Sequence, residues 1–145
     1  MNSVVIEAMS TSHLTLSTKL VYELGDPNST LRATADRSGP SVVIYAGGEV
    51  DACNEDTWRH LVSEAASGVT APGPFVVDVT GLDFMGCCAF EVLAEEAKRC
   101  QERGIDLRLV SCEPQIARIV DACGLGNVLP IYPTVDSALS AVARW

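Results

Sequence analysis

Between Ser41 and Leu139 the chain alternates short β-branched runs with stretches of helical period, and this alternation most restricts its fold. Ser41-Val42-Val43-Ile44-Tyr45-Ala46 reads as a nearly continuous apolar strand. After Gly47-Gly48-Glu49-Val50-Asp51, residues 54–66 place Trp58, Leu61, Val62 and Ala65 on one helical face, with Asn54 or Asp51 as N-cap. Gly68 to Pro74 is a breaker-rich loop, and Phe75–Thr80 a buried strand. Residues 88–103 carry Phe90, Leu93, Ala97 and Cys100 at helical spacing, and Gly104 stops that helix. Asp106–Val110 is the next strand. Pro114 then opens a helix predicted to turn Ile116, Ile119, Val120 and Cys123 inward. Gly124 ends it, residues 128–132 form a last short strand and residues 135–142 a last helix. Such a series demands a mostly parallel sheet with right-handed crossovers. The expectation is an α/β chain with four to five strands, an antiparallel or mixed edge strand and about four helices.

Leu31–Asp36 alternates like a half-buried strand, and Arg37-Ser38-Gly39-Pro40 makes the turn. Residues 1–30 stand apart as an N-terminal extension, with apolar patches only at Val4–Ile6 and Leu20–Leu24. The period-two run His13-Leu14-Thr15-Leu16-Ser17 either adds an edge strand or belongs to a flexible arm. With 145 residues, 48% of them hydrophobic, the chain can bury one ordinary core, so residues 31–145 are read as one domain. A net charge of −9 argues against nucleic acid or an anionic membrane and suits a protein partner with a basic surface. No apolar run reaches the ~18–20 residues of a spanning helix, and the N-terminus lacks a signal-peptide pattern. A soluble, cytoplasmic protein is expected.

Function gathers at the carboxyl ends of parallel strands, so Gly47–Asp51, Phe84–Ala89 and Ser111–Glu113 should form one rim. Within it, Phe84-Met85-Gly86-Cys87-Cys88-Ala89 joins a strand to a helix, and the helix start aims backbone N–H groups at this turn. Two of the six cysteines sit here. The six form no CxxC, and His13 and His60 lie at no metal-ligand spacing, so a metal is not expected.

Five fragments, in order, resemble the anti-sigma factor antagonist (STAS) family. They are Gly48-Glu49-Val50-Asp51, the run Val77-Asp78-Val79-Thr80-Gly81-Leu82-Asp83-Phe84-Met85, Leu107-Arg108-Leu109-Val110, Cys123-Gly124-Leu125 and Val128-Leu129-Pro130-Ile131-Tyr132. The resemblance spans about residues 31–139. It implies a single STAS-like domain, not an enzyme and without cofactor, which binds an anti-sigma factor of the histidine-kinase-like ATPase type and so frees a sigma factor for transcription. It places the docking surface at Gly48, Glu49, Val50, Asp51, Met85, Gly86, Cys87, Cys88, Ala89 and Phe90. In the family this loop reads Asp-Ser-Ser-Gly and its first Ser is phosphorylated, which ends docking by charge. Here those positions read Gly86, Cys87, Cys88 and Ala89, so phosphorylation at the usual position is not expected.

The cysteines admit three readings: passive near-isosteres of Ser in a constitutive antagonist, a thiol switch, or drift in a scaffold or decoy. In the second, the helix start should lower the pKa of Cys87 and Cys88, with Cys112 the first and Cys123 the second candidate disulfide partner. A vicinal Cys87–Cys88 bond would be strained. Glu49 with Asp51, and Glu95, Glu96 and Glu102, read as capping or solvated carboxylates, and Cys100 and Trp58 as core. Nucleotide or small-ligand binding at the helix start is an alternative, and a Cys87 nucleophile with His60 as base a weaker one. The protein is expected to be a monomer or weak homodimer.

Overall fold

The computed structural model describes residues 11–142. In chain order its elements are β1 (Thr11–His13), α1 (Thr18–Leu24), β2 (Leu31–Ser38), β3 (Ser41–Val50), α2 (Glu55–Ser67) and β4 (Gly73–Met85). There follow α3 (Cys87–Glu102), β5 (Ile105–Val110), α4 (Pro114–Ala122), β6 (Ile131–Tyr132) and α5 (Val135–Ser140). The six strands lie side by side in sequence order. β1, β2 and β3 pair antiparallel, whereas β3 to β6 pair parallel, as strand–helix–strand connections require.

Period-two alternation splits the strands between two cores. Val42, Ile44, Phe75, Val77, Leu107 and Leu109 face α2, α3 and α4, meeting Trp58, Leu61, Phe90, Leu93 and Val120. Their neighbours Val43, Val76 and Val110 face the other way, under Ala138 of α5. Each fully buried Val, Leu or Phe contributes about 1.5–3 kcal/mol. Arg108 also points to that second face yet is 2% exposed. Its Nε donates to Asp106 Oδ2 at 2.9 Å, Nη1 donates to the Ala138 carbonyl, and the guanidinium lies 5.8 Å from the Tyr132 ring centroid. The buried charge thereby ties α5 to β5.

The structure departs from the sequence reading in several places. The edge strand is Thr11–His13, upstream of the predicted alternation, and gives the sheet a sixth strand. Leu20 and Leu24 belong to an unpredicted helix, α1, whose N-cap Ser17 accepts from Leu20 N and donates its hydroxyl to Glu64 Oε2 at 2.7 Å. Leu14, Leu16 and Leu24 pack on the main core, so 14–24 form a strap against α2. Val4–Ile6 lies outside the described residues. The last strand shortens to Ile131–Tyr132, because Val128 and Leu129 both donate back to the Leu125 carbonyl in a turn.

Two side-chain expectations also fail. Cys123 does not turn inward; it caps the exposed end of α4, past the buried Val120. Glu96 is not solvated but 3% exposed, held by Arg99 at 2.8 Å with the Cys100 thiol at 3.9 Å. Burial, and then the Glu96 charge, push the Cys100 thiol up to about 12. The unfolded chain therefore sheds this proton first as pH rises, and folding stability falls between about pH 9 and 12. The slope approaches about 1.4 kcal/mol per pH unit. Urea unfolding of the natural chain and of Cys100→Ala across this range checks it; equal slopes would refute the assignment.

Candidate functional site

The strand β4 runs past its expected end at Thr80 to Met85, which brings the two predicted docking stretches into register. Glu49 pairs with Phe84 and Val50 with Met85, and Gly86 N donates to the Val50 carbonyl at 2.9 Å. Two shifts in the β3–β4 ladder, between Tyr45 and Gly47 and between Gly48 and Glu49, bend this end of the sheet. Gly48 sits at φ +88°, and a Cβ there would lie 1.9 Å from the Thr30 carbonyl oxygen. That carbonyl accepts from Glu49 N at 2.9 Å, so only glycine allows β2 to close on the rim.

Asn54, expected as an N-cap, occupies the cap position without bonding the first turn of α2. It instead staples the loop: Oδ1 accepts from Asp51 N, while Nδ2 donates to the Glu49 carbonyl at 2.9 Å and to Thr30 Oγ1 at 3.2 Å. Asp51 in turn accepts from Cys53 N at 2.9 Å. On the other side, Trp58 Nε1 donates to the Ala89 carbonyl at 3.2 Å, fixing the first turn of α3 to α2.

Burial sorts the ten predicted docking residues. Val50, Ala89 and Phe90 are fully buried, and Gly48 and Met85 nearly so; they are the floor of the rim and offer no contact surface. Glu49 and Cys87 are exposed, and Asp51, Gly86 and Cys88 half-buried. Phe84, absent from the predicted set, is 54% exposed. An aromatic after Asp83 continues the strand's alternation, and the signal for its exposure is that Met85 must point inward.

At Cys88 the thiol pKa is raised, against the fall expected at a helix start. Burial, followed by the nearby Glu55 carboxylate, raises it, and these outweigh the backbone N–H groups of the helix start. Cys112 is exposed and donates to the Pro133 carbonyl at 3.2 Å, on a loop that lines one groove with Phe84 and Met85. Cys123, at the far end of α4, does not. All six cysteines are free thiols.

Beside Phe84 opens a groove of about 690 Å³ between the end of β4 and α4. Leu82, Phe84, Ile116 and Ile119 provide its apolar walls, and Asp83 and Glu113 its charges. Ile116 and Ile119, predicted to be core, are not fully buried because they face this space. Among the described residues no three His, Cys, Asp or Glu side chains come together as a metal site, and no helix is long and apolar enough to cross a membrane.

Residues 32–138 match the STAS domain. The chain belongs to the STAS-domain family. Among relatives of this STAS domain is Rv2638 of Mycobacterium tuberculosis, provisionally named an anti-anti-sigma factor. It is 66% identical over 139 residues, covering 96% of this chain and 93% of Rv2638. The anti-sigma-F factor antagonist RsfA of M. tuberculosis is 56% identical over 114 residues, or 79% of this chain and 89% of RsfA. The STAS fold agrees with the crystal structure of an anti-sigma factor antagonist from Mycobacterium paratuberculosis, with TM-score 0.69 at 24% identity over 82% of this chain and 98% of that one.

Proposed function

We propose that this STAS domain is an anti-sigma factor antagonist. It binds an anti-sigma factor of the ATP-binding, histidine-kinase-like type and so frees a sigma factor for transcription. The names of Rv2638 and RsfA support the class. The observation that carries the surface is the Glu49–Phe84 and Val50–Met85 register, which sets Glu49, Asp51, Phe84, Gly86 and Cys87 side by side over a buried floor.

The switch differs from the family's. Cys87 stands at the phosphoacceptor position, so docking is not ended by phosphate on that residue. The thiol response of this surface belongs to the exposed Cys87 rather than to Cys88, whose thiolate is disfavoured. Oxidation of Cys87 adds a polar or charged group to the docking face, as phosphate does elsewhere.

The test uses the anti-sigma-F factor that RsfA is named for antagonising, immobilised and titrated with this chain. Cys87→Glu is expected to weaken docking by about 1–3 kcal/mol through an unpaired charge in the interface. Cys87→Ser binds as the natural chain does but takes up phosphate from ATP in the complex, whereas the natural chain takes none. Equal affinity for Cys87→Glu would remove this surface. Running the titration with and without reductant separates a thiol-responsive antagonist from a constitutive one.

A further inference from the structure

The strands β4 and β5 pair only from Gly73–Ile105 to Asp78–Val110. β5 then ends and the chain leaves into α4, while β4 continues for seven more residues, 79–85, held by β3 on one side alone. At about 3.3 Å per residue this overhang is some 20 Å long. Thr80 N is engaged by Asp78 Oδ1 at 2.9 Å; beyond it, among the described residues, no strand pairs with the edge that β5 leaves open. The groove of about 690 Å³ lies along that edge, where a continued β5 would run. Its opposite wall is Ile116 and Ile119, and every Asp, Glu, Lys or Arg that lines it is acidic: Asp83 and Glu113.

We infer that this groove receives an extended segment of the anti-sigma factor, with alternating aliphatic and Lys or Arg residues, which adds a strand to the open edge of β4. Main-chain bonds to the edge hold the segment, its aliphatic side chains face Ile116 and Ile119, and its basic ones meet Asp83 and Glu113. The inference rests on the docking function proposed above, and the groove is continuous with that surface through Phe84. An unlike, basic strand suits it better than a second copy of this chain, whose net charge is −9.

The experiment has two arms on the full chain. In the first, capped heptapeptides alternating Lys and Val are titrated into ¹⁵N-labelled protein at low salt. Saturable shifts are expected at Leu82–Phe84, Ile116 and Ile119. Methylating alternate peptide amides should weaken binding at least about tenfold, since it removes the main-chain bonds alone. Exchanging Lys for Glu should abolish it, and the double variant Asp83→Asn, Glu113→Gln should weaken it about threefold. Absent or scattered shifts, or equal binding of the methylated peptide, overturn the inference. In the second arm, hydrogen exchange is followed in the complex with the anti-sigma-F factor. Slowed exchange of the Leu82–Phe84 amides supports the added strand. A complex that leaves them unprotected refutes the groove while sparing the docking function, and peptide binding without any complex refutes the docking function instead.

Discussion

Replacing Trp58 with alanine is expected to destabilise the domain by about 3–5 kcal/mol, the cost of emptying the site of a fully buried aromatic. The indole is 0% exposed among the helices and main-core strands, and its N–H is the donor that reaches the Ala89 carbonyl across to α3. In a domain of this size the loss should lower the thermal midpoint by roughly 10–15 °C. Trp58→Phe separates the two contributions. It keeps most of the volume but removes the bond to the Ala89 carbonyl, which keeps its helical donor, at about 0.5–1.5 kcal/mol. Docking should therefore suffer beyond the loss of stability, because the first turn of α3 carries Cys87 and Cys88. A Trp58→Phe variant that docks as the natural chain does, at a temperature where both are folded, would show that α3 needs no such anchor.

The second large effect belongs to Gly48→Ala. The new methyl would meet the backbone oxygen of Thr30 at 1.9 Å, and the residue would be held at a positive φ that side chains resist. Backbone atoms cannot swing aside as a flexible side chain does, so β2 and β3 must separate and the Glu49–Thr30 bond is lost. About 2–4 kcal/mol is expected from strain and the broken bond together. Gly47→Ala provides the comparison, one residue away. Its Cβ would find only the Gly81 oxygen, at an ordinary 3.6 Å, and its φ is not positive, so the change should stay within about 1 kcal/mol. Chemical denaturation of the two variants decides the matter. Similar losses would mean that crowding at Thr30 is not what requires glycine there.

The parts of this fold that can be read from the sequence are those in which one local signal decides the outcome. Ser41–Ala46 and Phe75–Thr80 are β-branched runs long enough to be strands in any context, and Trp58, Leu61 and Leu93 fall on faces with a clear helical period. The parallel sheet follows from their alternation. Signals that depend on a neighbour are not legible. The continuation of β4 past Thr80 is hidden because Gly81, Asp83 and Gly86 read as breakers, yet pairing with Gly47–Val50 keeps the strand extended as far as Met85.

The same holds for the side chains of the site. The rim itself is visible, because strand ends can be placed from the alternation. Which rim residues reach solvent is not, since that depends on the β3–β4 register: Val50 is buried and its neighbour Glu49 is not. Glu96 reads as solvated beside Glu95, but the helix turns it about 100° further, toward Cys100. The strap at 14–24 is equally hidden, because its leucines have no amphipathic length of their own and gain their place only against α2.

The short contact between Asp78 and Thr80 also bears on pairing between copies of this chain. An open strand edge invites a second copy to zip onto it, and proteins blunt such edges with inward or edge-lying charge. Here the carboxylate of Asp78, where the β5 pairing ends, accepts from the Thr80 amide two residues further on at 2.9 Å, and from the Thr80 hydroxyl at 2.7 Å as well. Asp83 sets another negative charge further along the same edge. Two such edges brought together repel, while an edge of opposite charge does not. The two aspartates thus disfavour a second copy of this chain at the open edge of the strand.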